Sequence, residues 1–335
     1  MRRVPPRMIT FLPGERVTKG DIQAILGIAP DCHVYMRPYI APQDMSNDVV
    51  IAHYAQEIIA HCQAFEAVIP PGQRHLHPFN EQNMPRWSGW EGFGPEPEMM
   101  RLFDRQFCAV YRGVKAACPT WQIGWSPLTI GNRDCWFEGD PIGPYYMHGT
   151  DGCVEQPTPE TRRKAILAGP CYQSLMLADE YCAHVYIHWS RGSCTNIAYG
   201  MRARRYWEWL PKPMPIWITE SGFPGRQGMQ EVPWAMDDLI EWERLLVQNV
   251  PAVRGHSLWI LGNHWDSNGV WYTGGQPWQG IRVLEQNQAP VDALHAAIPT
   301  PPIGAPPAQE PVAGDTIEAL LQQANTQLAA FAAAI

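Results

Sequence analysis

The sequence predicts an α/β chain organised around a parallel sheet, most economically a (β/α)8 TIM-type barrel. Three observations carry that expectation. Short β-rich runs alternate with amphipathic helical patterns from residue 7 to residue 298. The length of 335 residues suits one large α/β domain with an appendage. Hydrophobic residues make up 45% and charged residues 17%, so the chain can build a substantial core.

Arg7–Leu12 (RMITFL) reads as a strand and Lys19–Gly27 as the helix after it. Cys32–Ile40 is the next strand. Asp48–Phe65 follows as a helix, with Val50, Tyr54, Ile58, Cys62 and Phe65 at helical spacing. Arg74–Glu81 is a strand ending in polar residues. Glu96–Cys118 is a helix with Pro97 in its first turn, where the missing N–H costs nothing. Its apolar stripe is Met99, Leu102, Phe103, Phe107, Val110 and Val114. Trp121–Ile130 is a strand, and Gly131–Pro159 a long Gly-, Pro- and aromatic-rich loop. Thr161–Cys182 reads as a helix, Ala183–Trp189 as a strand, Asn196–Leu210 as a helix and Pro215–Glu220 as a strand. Pro233–Asn249 (helix), Gly255–Leu261 (strand) and Val291–Ile298 (short helix) complete the series.

These are seven strand candidates, where a closed barrel of this type needs eight. The shortfall falls at the N-terminus, so the expectation is a barrel lacking its first strand–helix unit; an open doubly wound sheet is the alternative. Residues 1–298 would form the barrel and 299–314 a stiff Pro-rich linker. Residues 315–335 would form an amphipathic helix with Ile317, Leu320, Leu321, Ala324, Leu328 and Phe331 on one stripe. A stripe of that kind needs a surface to cover it, through docking on the barrel or self-association.

The net charge of −8, with no basic run, argues against a nucleic-acid partner. No apolar run is long enough to span a bilayer. Met1–Pro6 has no apolar stretch after its basic start, so no signal peptide is visible and the chain as given reads as cytoplasmic; secretion is the expectation if its natural N-terminus lies further upstream. Nine Cys without a C-x-x-C read as reduced, buried thiols, with a Cys135–Cys153 disulfide left open. The 15 Trp are either core residues or flat stacking platforms. Gly-rich phosphate loops and the G-x-S-x-G elbow are absent from the sequence, which removes support for nucleotide chemistry and for an α/β-hydrolase.

In a parallel barrel, reactive side chains sit at the C-terminal ends of the strands. Two such ends carry carboxylates: Asn80-Glu81 after RHLHPF, and Glu220 after PIWIT. Two carboxylates across a cleft are what glycoside cleavage requires, one to protonate the leaving oxygen and one to attack the anomeric carbon or activate water. A neighbouring Asn can bond a sugar hydroxyl.

On these residues the sequence resembles the clan A (4/7 superfamily) retaining glycoside hydrolases, whose barrels end the fourth strand with Asn-Glu and the seventh with a second Glu. With Asn80-Glu81 on the fourth strand, Trp121–Ile130 and Ala183–Trp189 become the fifth and sixth, and Thr219-Glu220-Ser221-Gly222 falls on the seventh. The resemblance implies that Glu81 is the acid/base and Glu220 the nucleophile, with an oligo- or polysaccharide substrate and no cofactor. It places Arg37 beside Glu220. It matches His184-Val185-Tyr186 to the His-x-Tyr of the sixth strand, and His188 shares their face. Trp259, on the eighth strand, would lie under the sugar. Trp87, Trp90, Trp265, Trp271 and Trp278 crowd the neighbouring loops. The resemblance departs at the missing first strand, the long loop and the C-terminal appendage.

Two other readings stand beside it. A carbohydrate-binding barrel without turnover would keep the cleft and attach to a larger assembly. A metal-dependent barrel hydrolase would use His75, His77, His184, His188, His264 and Asp266, but His75 and His77 precede the strand end by several residues, at ~3.3 Å each.

Overall fold

The computed structural model describes residues 7–13, 17–38, 48–82, 97–128, 169–187, 193–195, 200–222, 235–258, 264–265 and 271–272. The long loop from 131 to 159, the expected helix at 291–298, the linker 299–314 and the helix 315–335 lie outside the described residues, as do Cys135 and Cys153.

Seven parallel strands form one sheet in strict chain order: β1 (Met8–Phe11), β2 (His33–Met36), β3 (Arg74–Leu76), β4 (Gln122–Trp125), β5 (Glu180–Tyr186), β6 (Ile216–Gly222) and β7 (Val253–Leu258). Helices lie between them: α1 (Lys19–Ile28), α2 (Asp48–Glu66), α3 (Pro97–Ala117), α4 (Tyr172–Leu177), α5 (Arg202–Trp209) and α6 (Ala235–Asn249). Strand order equal to chain order, with a helix at each crossover, is the topology of a TIM-type barrel rather than of an open doubly wound sheet.

The sheet curls until its ends nearly meet. Thr10 Oγ1 on β1 donates to the Thr219 carbonyl of β6 at 3.0 Å. A Cβ placed on Gly255 of β7 would lie 3.5 Å from the Met8 Cβ of β1. Among the described residues the ends of this seven-stranded sheet thus face each other across a narrow seam, spanned by side chains. A short antiparallel hairpin, β8 (His264–Trp265) with β9 (Trp271–Tyr272), completes the described elements.

The helices form where the periodicity places them. Thr18 caps α1 through a capping box with Asp21, whose carboxyl is held below its usual range by the Thr18 N–H and hydroxyl. In α2, Tyr54, Ile58, Cys62 and Phe65 are buried; in α3, Leu102, Phe103, Phe107, Val110 and Val114. Both stripes pack on the outer face of the sheet with Val34, Leu76, Ile123, Val185 and Ile218 in one continuous core. Trp121, Trp125 and Trp242 are fully buried core residues. The seven described Cys are free and buried.

Several boundaries differ from expectation: the strand read as Arg74–Glu81 ends at Leu76, and the strand read as Trp121–Ile130 runs over Gln122–Trp125. In the described part of the helical pattern read as Thr161–Cys182, residues 169–182, the helix is the short α4, and β5 begins at Glu180. Asp179 ends the helical stretch by tertiary bonds: it accepts from the Ile123 N–H at 2.8 Å and the Tyr111 hydroxyl at 2.9 Å, and pairs with Lys115 at 2.7 Å. Strand β5 is thereby drawn onto β4 earlier in the chain than local pattern indicates.

Candidate active site

Four strands, β2, β3, β5 and β6, bring side chains together at the C-terminal mouth. The ladder beyond β2 and β3 continues through Arg37 N–H to Phe11 O at 2.9 Å and His77 N–H to Met36 O at 3.1 Å. Past His77 the chain turns, and Ser126 fixes the turn by accepting from the Phe79 N–H at 3.1 Å. Gln82 adds a bond to the Ser126 carbonyl at 2.9 Å. Between these anchors Glu81 adopts a left-handed backbone, φ 45°. For a non-glycine residue this costs on the order of 1–3 kcal/mol and is found where a site demands a particular side-chain direction.

Glu220 reaches the same place by a β-bulge. Ala183 pairs with Ile218 and His184 with Glu220, so β6 holds one extra residue, Thr219, against β5. With strict alternation Trp217 and Glu220, three apart, would face opposite sides of the sheet. The bulge puts both inside the barrel: Trp217 joins Met8, Tyr35 and Cys182 in the interior cluster, and Glu220 meets Arg37.

The geometry around Glu220 is saturated. Arg37 Nη1 donates to Oε1 at 2.9 Å and the Tyr186 hydroxyl to Oε2 at 2.6 Å. The side chains of Arg37 and Glu220 are each 7% exposed. Burial, and then the adjacent Glu220, push the Tyr186 hydroxyl well above the ordinary tyrosine range, so Tyr186 keeps its proton and donates. An acceptor-only pattern at both oxygens is the one an ionised carboxylate makes.

His184, fully buried, lies between the two carboxylates. Its Nδ1 is 2.9 Å from Glu81 Oε1 and 3.4 Å from Glu220 Oε2. One oxygen of Glu81, Nδ1 of His184 and one oxygen of Glu220 all lie within 4.8 Å of one another. By size this trio could hold a divalent ion. The remaining ring nitrogen, Nε2, is buried with no hydrogen-bond partner, which puts the ring proton on Nδ1.

Of the residues predicted from sequence, Arg37, Asn80, Glu81, His184, Tyr186 and Glu220 meet at the mouth. Asn80 is buried and its Oδ1 has no partner. His188, Trp259, Asp266, Trp87, Trp90 and Trp278 lie outside the described residues. Among the described residues, His75 and His77 do not join His184 in a three-ligand cluster. His75 turns to the barrel floor, and His77 lies beneath the mouth, fully buried. Burial, then Arg37 and His184, drive His77 well below the usual histidine range, so it is neutral.

The sequence reading missed the floor. Glu180 is 3% exposed and accepts from the Tyr35 hydroxyl, while His75 Nδ1 approaches its two oxygens at 3.0 and 3.2 Å. His75 Nε2 meets His33 Nδ1 at 2.8 Å, and Trp217 packs against His33, Tyr35 and His75. The signal was the alternation Glu180, Cys182, His184, Tyr186 along one strand face, hidden because Glu180 was assigned to a helix.

The fold and site geometry define a (β/α) barrel with a paired-carboxylate mouth, and solved structures share the barrel. A β-glucosidase from Thermotoga maritima in complex with azafagomine is 11% identical over 84% of this chain and 83% of that one, with a TM-score of 0.50. The Thermotoga maritima β-glucosidase in complex with noeuromycin matches at 11% identity over 80% and 76%, TM-score 0.49. A β-glucuronidase from Bacteroides uniformis matches at 9% over 78% of this chain and 27% of that one, TM-score 0.49. The likeness to the first of these, at a TM-score of 0.50 and 11% identity, shows the fold alone, a TIM-type barrel. No protein-family model and no curated protein matches the chain. Among the described residues no helix is long and apolar enough to cross a membrane.

Proposed function

We propose that this chain is a retaining O-glycosyl hydrolase of the clan A type, acting on an oligo- or polysaccharide. One observation carries the reading: oxygens of Glu81 and Glu220 lie within 4.8 Å of each other. Retaining glycosidases hold their carboxyl groups ~5–5.5 Å apart, and inverting ones ~6.5–9.5 Å apart to admit a water.

Glu81 is the acid/base. The His184 ring nitrogen Nδ1 lies 2.9 Å from Glu81 Oε1 and orients the carboxyl that passes a proton to the departing sugar oxygen. Glu220 is the nucleophile; Arg37 and Tyr186 orient it, and one of its oxygens bonds the anomeric carbon as the glycosidic bond breaks. In the second half, Glu81 takes a proton from water as that water attacks the glycosyl–Glu220 ester, and the starting anomeric configuration returns. Asn80, with its unpartnered buried Oδ1, supports a role in accepting a sugar hydroxyl. His188 and Trp259 are assigned to the sugar site on the family resemblance.

The test is a screen of aryl glycosides and polysaccharides with the wild type, Glu81→Gln and Glu220→Gln, with the first-formed anomer read by NMR. Wild-type turnover with retention, lost in Glu220→Gln, is the expected result. Inverted product overturns the mechanism. Sugar binding without turnover assigns the barrel to the binding-module class instead.

A further inference from the structure

The bulge that turns Glu220 inward leaves the strand poorly held at that point. Strand β6 also slips against β7: Ile218 pairs with His256 and the next partners are Ser221 and Leu258, so the ladder lapses across Thr219 and Glu220. Side chains take over there. On β6 the residue after Glu220 is Ser221, which faces the opposite way, into the wall between the barrel and α6. Its hydroxyl donates to the Ser257 carbonyl at 2.9 Å and lies 3.2 Å from His256 Nδ1. His256 Nε2 is 2.6 Å from Glu243 Oε1 on α6. Trp242, one residue earlier on α6, sets its ring edge-on to His256 at 5.0 Å and donates Nε1 to the Gly200 carbonyl at 2.5 Å.

Ser221 has a single O–H, and Ser257 takes it. The imidazole stands next in the chain, with Nδ1 at 3.2 Å from the Ser221 hydroxyl and Nε2 at 2.6 Å from the Glu243 carboxylate. Ser, His and Glu in this order have the connectivity of a hydrolytic triad, but Ser221 is fully buried in the wall and no substrate can reach its oxygen. The chain ends instead at the residue next to Glu220.

We propose that Ser221, His256 and Glu243 form a positioning brace that fixes the bulged segment of β6 against α6 and thereby sets the Glu220 carboxylate. The brace rests on the reading of Glu220 as nucleophile. It acts through the backbone of residues 219–221, and none of its members touches substrate. A displacement of the order of 1 Å at a nucleophile is worth ~100-fold in rate, so loss of the brace should appear in the covalent step.

The experiment is covalent labelling with a panel of 2,4-dinitrophenyl 2-deoxy-2-fluoroglycosides, followed by intact-mass and peptide mass spectrometry. The inactivation rate constant and the half-saturating probe concentration are read separately. Wild type should be labelled at Glu220. Ser221→Ala should lower the inactivation rate constant by ~10-fold or more, leaving half-saturation within about twofold. Ser221→Thr, which keeps the hydroxyl, should retain most of the rate. Glu243→Gln, at the far end of the chain and outside the barrel, should slow labelling in the same sense, and it serves where Ser221→Ala fails to fold. If Ser221→Ala or Glu243→Gln lowers the melting temperature while labelling keeps its wild-type rate, the brace is structural only and the proposal is wrong. If no probe labels the wild type at Glu220, the glycosidase reading itself falls, and the brace with it.

Discussion

Acid should weaken this fold through His33, and the size of the effect can be worked out. His33 sits at the barrel floor, partly covered by Trp217 and joined to His75 at 2.8 Å. Burial, and then the neighbouring His75, lower its pKa from 6.5 to about 4; Glu180 and Asp31 oppose this without overcoming it. Above pH 6.5 the imidazole is neutral in both states and its contribution to stability is whole. As pH falls from 6.5 towards 4, the unfolded chain binds a proton that the fold refuses, and stability drops. Each pH unit across that interval is worth ~1.4 kcal/mol, so the loss is at most ~3.5 kcal/mol. The ring's solvent-facing edge screens part of this, leaving about 2 kcal/mol. His77, fully buried and lowered well below 6.5, acts in the same direction. The perturbation is His33→Asn, which keeps a polar group towards His75 and removes the titration. Urea unfolding of both proteins between about pH 7.5 and about pH 4 gives the two profiles. The wild type should lose about 2 kcal/mol more than the variant over that range. Parallel profiles would refute the reasoning, since other acidic and basic groups are common to both proteins and cancel in the difference.

Arg37→Met should cost ~3–5 kcal/mol in chemical denaturation, because the Glu220 charge stays buried without its 2.9 Å partner; adding Glu220→Leu should recover much of that while leaving the protein inactive. Glu81→Gln should lower turnover of an unactivated substrate by ~10²–10⁴-fold, with a smaller loss for an aryl glycoside whose leaving group needs no proton, as steady-state kinetics will report. A Cβ on Gly124 of β4 would collide with the Cys182 sulfur inside the barrel, so Gly124→Ala should destabilise by ~1–3 kcal/mol. Cys182→Ala should relieve that penalty, giving a non-additive cycle in melting experiments; additive losses would place the two side chains apart.

The family of folds was legible because each helix announces itself locally. Tyr54, Ile58, Cys62 and Phe65 on α2, and Phe103, Phe107, Val110 and Val114 on α3, repeat at helical spacing and are the residues that pack on the sheet. Glu81 and Glu220 stood out in the sequence because each follows an apolar run, but the structure puts Glu81 beyond the end of β3 and Glu220 within β6. Local pattern failed where a long-range contact decides. Glu180 follows a helical stretch, and only the bonds of Asp179 to Ile123, Tyr111 and Lys115 turn the chain into strand there. With the boundary misplaced, the Glu180–His75–His33 layer stayed invisible, and His75 was grouped with His77 and His184 as a metal donor.

By itself the sequence determined the parallel alternation, the helices and their buried faces, and the two carboxylate positions, all consequences of spacing within a few residues. Tertiary structure alone decided that Glu220 faces inward, since the extra residue Thr219 on β6 reverses the parity that alternation predicts. It likewise decided that His184 stands between the carboxylates, and that Arg37 and Tyr186 occupy both oxygens of Glu220. Those arrangements depend on register between strands far apart in the chain, a quantity that no local window of residues contains.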